Sequence, residues 1–62
     1  MEGKELLKFL DFVEELRTKR NNFENDAREA IDQSEKTGLK AKADAYAEIA
    51  DDLERVLRKL NS

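Results

Sequence analysis

The 62-residue chain has no cysteine, histidine, proline or tryptophan, and only two glycines. Without cysteine there is no disulfide, and without cysteine or histidine there is no ordinary zinc site, so the usual staples of a small protein are missing. The same absences remove the common nucleophile–base pairs of enzyme chemistry. What remains are Ser and Thr hydroxyls, Tyr46, the lysines and carboxylates such as Glu48 and Asp52, which lie one helical turn apart. A carboxylate pair needs a cleft to drive its two pKa values apart, and a small helical protein offers little of one. The sequence is therefore read as non-enzymatic, with no cofactor and no metal.

Long apolar runs are also lacking. The longest is Ala45-Tyr46-Ala47, and the first ten residues, MEGKELLKFL, carry no basic segment followed by an apolar stretch. The expectation is a chain with neither a secretory signal nor a membrane span, located in the cytoplasm. Charged residues make up 44% of the chain, yet the net charge is only −3. Mixed charge of this kind covers helix exteriors and does not supply the net basic surface that nucleic-acid binding requires. An acidic stripe of Asp44, Glu48 and Asp51, with Asp52 nearby, is interrupted by Arg55 and reads as a solvated face rather than a mimic of phosphates.

What is present is helix-forming material, rich in Ala, Leu, Glu and Lys. From Leu39 to Leu60 the residues Leu39, Tyr46, Ile49, Leu53, Val56 and Leu60 recur at steps of three and four, and Ala43, Ala50 and Leu57 widen the stripe. From Lys4 to Arg20 the apolar arc is wider still. Leu6, Phe9, Leu10, Val13 and Leu16 are central, with Leu7 and Phe12 on opposite flanks, an arc of about 200° or more at about 100° per residue. One neighbouring helix cannot cover it. A membrane-surface helix shows similar width, but Asp11, Glu14 and Glu15 stand where such helices favour Lys and Arg.

Two places compete for the chain reversal. Asn21 with Glu24 imitates a capping box after Arg17, Lys19 and Arg20, and a break there would give a three-helix bundle. The heptad register of Phe9, Leu16, Phe23 and Ala30 nevertheless runs straight through Asn21 and Asn22. Thr37-Gly38 offers a left-handed C-cap, and the apolar register slips there. The sequence thus predicts an all-α, two-helix antiparallel hairpin in a single domain, with helices over about 4–36 and 39–60 and a turn at 37–38. The three-helix bundle is the alternative.

On those bounds the arms are unequal, about 50 Å against about 33 Å at 1.5 Å per residue. The shorter arm leaves Leu6, Phe9, Leu10, Phe12 and Val13 uncovered, and a second copy is the simplest cover. The expectation is a homodimer, or a higher closed oligomer, that forms a four-helix bundle on these residues.

Cations supply the other candidate contacts. Arg20 sits near the middle of the first apolar face, where a pair with Glu24 or with an acid of the second helix would satisfy it and a binding role is the alternative. Lys40 and Lys42, placed in the first turn of a helix beginning at Leu39, oppose the helix dipole there. With Lys36 across the turn they outline a site for an anion or a partner's carboxylate. Otherwise their stems simply cover apolar surface.

The segment 38–57, GLKAKADAYAEIADDLERVL, resembles the closing helix of short proteins encoded by bacteriophages and prophages. That resemblance implies a small accessory or host-interacting protein and carries no functional residue with it. The leading expectation is a protein–protein interaction module, such as a phage-type inhibitor or adaptor of a host protein. A binder of small anionic ligands and a structural assembly element are the alternatives.

Overall fold

A computed structural model describes residues 3–60, which form two antiparallel helices. The first, α1, runs Gly3–Glu29 and the second, α2, Gln33–Leu60. Asn21 and Asn22 lie inside α1, so the first helix is continuous and there is no third helix among the described residues. Their modest propensity cost of a few tenths of a kcal/mol each is overridden by packing on either side.

The reversal falls at Ala30, Ile31 and Asp32, not at Thr37-Gly38 as the sequence reading expected. Asp32 is the reason. Its carboxylate accepts the backbone N–H of Ser34 at 3.2 Å, and its carbonyl accepts the N–H of Lys36 at 3.0 Å, which makes it the N-cap of α2. Glu35 adds an acid to the first turn, and Arg28 places a cation in the last turn of α1, both favourable to the helix dipoles. Gly38 is simply an exposed residue inside α2, without positive φ. The Thr37 hydroxyl donates to the carbonyl of Gln33 at 2.9 Å, an ordinary back-bond within a helix.

Moving the turn equalises the arms at 27 and 28 residues, about 40 Å each at 1.5 Å per residue. The argument from unequal arms therefore fails, and part of the expected oligomer surface is covered within the chain. Val13 and Leu16 are buried with Ala50 and Leu57, while Leu6, Tyr46 and Leu53 pack against them. Near the turn the contact narrows to Ala27 and Ala43. Among the described residues three of the six that are buried are alanine, so the seam is close but thin. The Cα trace measures 46 × 16 × 10 Å, a single layer of two helices. Domains ordinarily need at least two layers around a core, and this layer has both of its broad sides open.

Candidate functional site: an apolar side and a charged side

The two broad sides can be followed through rows of residues seven apart, which share a helix face. On one side, Lys42 Nζ lies 5.7 Å from the Phe23 ring centroid and Lys19 Nζ lies 5.9 Å from that of Tyr46. The two rings themselves stack at 5.5 Å. In α1, heptad steps from Phe23 lead to Leu16 and Phe9, and from Lys19 to Phe12 and Glu5. In α2, steps from Lys42 lead to Ile49 and Val56, and from Tyr46 to Leu53 and Leu60. Both helices therefore turn apolar residues to this side. Phe9, Phe12, Ile49, Val56 and Leu60 are exposed to 42, 48, 52, 51 and 59%. An apolar strip spanning two helices is not the scattered exposure of a typical surface.

The opposite side is held by charge. Arg17 Nη2 donates to Asp51 Oδ1 at 3.2 Å and to Glu54 Oε2 at 2.5 Å, crossing from α1 to α2. Arg58 Nη2 reaches Glu54 Oε1 at 3.0 Å, so Glu54 bridges two arginines. Desolvation works against the charge on Arg17, but its hydrogen bonds to the Glu54 and Asp51 carboxylates outweigh it, and its pKa lies above the ordinary value. Sequence reading missed this pairing. Arg17 was visible only as a helix-end cation, and its partners become neighbours only once the turn is placed at residues 30–32.

The five expected interface residues are divided by this geometry. Phe9 and Phe12 line the apolar side together with Glu5 and Lys8. Leu10 lies on the charged side, in a groove with Glu54, Leu57 and Arg58, because it belongs to the row of Arg17 and Glu24. Val13 is buried between the helices and Leu6 packs against the core, so neither is free to build an oligomer seam.

The expected anion contacts are divided as well. Because α2 begins at Gln33, Lys40 and Lys42 are well inside the helix, and the free N–H groups that were to support an anion are elsewhere. Lys36 and Lys40 line a cleft of about 430 Å³ on the charged side with Arg28, Glu24 and Asp44. Lys42 is on the other side, against Phe23. Arg20 donates through Nε and Nη2 to the side-chain oxygen of Asn21 at 3.2 and 3.0 Å, and among the described residues it meets neither Glu24 nor an acid of α2. Glu24 points into the cleft instead.

The Thr18 hydroxyl is committed to the carbonyl of Glu14 at 3.0 Å, and Asp52 pairs with Arg55 at 3.4 Å. No helix among the described residues is long and apolar enough to cross a membrane. Compared with protein-family models, curated proteins and solved structures, the chain matches none.

Proposed function

We propose that this chain is a non-enzymatic protein–protein interaction module whose working surface is the apolar side of the hairpin. One observation carries the reading: Phe9, Phe12, Ile49, Val56 and Leu60 are all about half exposed on a single side, while the other side is tied by ion pairs. Burying apolar area is the main source of association free energy, at roughly 25 cal/mol per Å² before the costs of ordering are subtracted. A second layer of helices is the partner this side fits, and a homodimeric four-helix bundle is its simplest form. Inhibition or adaptation of a host protein is the biological role that the resemblance of segment 38–57 to phage-encoded helices implies.

The test is the dependence of thermal stability on protein concentration. Anything that binds the folded state raises the unfolding midpoint by mass action. Wild-type protein should therefore show a midpoint that rises with concentration. Val56→Asp, a change at a position half exposed in the hairpin, should abolish that dependence and lower the midpoint. A concentration-independent midpoint in wild type, or an unchanged dependence in Val56→Asp, overturns the reading.

A further inference from the structure

Glu5, Phe9, Phe12, Leu16 and Lys19 lie in one line on α1, spaced four, three, four and three residues apart, with Leu16 turned into the hairpin core and the other four left on the apolar side. This is the spacing of a coiled-coil seam. The line is also self-complementary in chemistry. Glu5 and Lys19 stand seven residues to either side of Phe12, and Lys8 and Glu15 flank it more closely on the outer edge. Reversing the helix about Phe12 exchanges Glu5 for Lys19 and brings Lys8 within one residue of Glu15, so acid meets base at both places.

From this pattern we infer that the occupant of the apolar side is a second copy of the chain, packed face to face with α1 antiparallel to its own counterpart and the twofold axis passing at Phe12. The inference rests on the reading of the apolar side as an association surface and specifies its partner and register. Glu5 of each protomer meets Lys19 of the other, Lys8 meets Glu15, and Phe12 meets its own copy. The Lys19 ammonium now over Tyr46 is exposed and within reach of that exchange.

The second helix agrees with the same axis. Arg17 lies level with Asp51 and Glu54, and Leu10 lies level with Leu57, so Phe12 is level with residues 55 and 56. Near the axis α2 presents Leu53, Val56 and Leu60, at steps of three and four, with Val56 beside the axis.

The other face-to-face dimer, with both turns at the same end, sets α1 against α2 of the partner. That arrangement brings Glu15 opposite Asp52 and crowds Lys19 and Lys42 of both copies over the same ring pair. Like charges set face to face are a strong discriminator between otherwise similar packings. The closed twofold arrangement about Phe12 is the one in which the rim charges match.

Charge reversal and cross-linking test this together. K19E places acid against acid at two symmetry-related positions and should weaken self-association by about tenfold, as should E5K by placing base against base. The double variant E5K/K19E restores opposite charges and should return to about the wild-type dissociation constant. Because the native chain has no cysteine, single cysteines report unambiguously. Phe12→Cys and Val56→Cys should each oxidise to a disulfide with its own kind, and an equimolar mixture should yield little of the mixed 12–56 disulfide.

A dominant 12–56 disulfide, or an E5K/K19E variant weaker than either single change, overturns the antiparallel register while leaving association itself standing. Wild-type protein that remains a single chain at submillimolar concentration overturns both the register and the association reading.

Discussion

The carboxylate of Asp32 accepts the backbone N–H of Ser34 at 3.2 Å, and this bond marks the point at which the chain reverses. It satisfies one of the four N–H groups that a helix start leaves without an intrahelical partner. Asp32→Ala should therefore cost about 1 kcal/mol, the usual loss on removing an N-cap. Chemical denaturation of the two proteins at equal concentration checks the figure, and amide exchange should speed first at Ser34 and Glu35.

Gly38 gives the converse expectation. It sits inside α2 with no positive φ, and a Cβ added there meets nothing within 4 Å. Gly38→Ala should stabilise the hairpin by about 0.5–1 kcal/mol, through helix propensity and a less flexible unfolded chain. A left-handed C-cap at this position would reverse the sign, since alanine is strained at positive φ. One melting curve therefore distinguishes the two turn positions.

These two residues show how far the fold could be read from the sequence. Helical class and the continuity of α1 through Asn21 and Asn22 were legible, because an unbroken heptad register is a strong signal over a long segment. The turn was misplaced because Gly38 is a permissive residue, and permission to break a helix is not a cause for breaking it. Asp32, followed three residues later by Glu35, was the real signal. It resembles a capping box as closely as Asn21 with Glu24 does, and that second pattern lies inside the continuous α1.

The candidate surface was half legible for a related reason. Both helices carry apolar arcs wider than one contact, and periodicity alone does not say which edge of an arc faces the other helix. In α2 the alanines and Leu57, which only widened the stripe in the sequence, are the buried residues, whereas Ile49, Val56 and Leu60 are exposed. The choice is made by close approach. Ala43 and Ala50 let the backbones come together, and the larger side chains are left to the outside.

Leu57 and Ile31 are a pair of apolar residues with opposite expected consequences. Leu57 is buried in the central cluster, and Leu57→Ala should cost about 2–5 kcal/mol, enough to unfold a hairpin with so small a core. Ile31 is fully exposed at the turn, and Ile31→Ser should change stability by no more than about 0.5 kcal/mol. Circular dichroism melts of the two variants check both.

Arg17 joins the helices through Asp51 and Glu54, and the coupling between Arg17 and Glu54 in a double-mutant cycle should be favourable and should shrink as salt is raised. The raised pKa of Arg17 fixes the sign of its pH dependence. A folded-state pKa above the unfolded value stabilises fully below the unfolded value and is lost only as pH rises through the folded one. Even the ordinary arginine value lies well above pH 10, so moving from neutral pH to pH values near 10 should leave the arginine's share of this coupling intact.

Sedimentation equilibrium of the wild-type chain across the micromolar range tests the association surface most directly. The expected result is a reversible self-association approaching twice the 7.2 kDa mass of one chain, lost on replacing Val56 with Asp. A wild-type protein that sediments as one chain throughout, and unfolds cooperatively as such, would contradict the account.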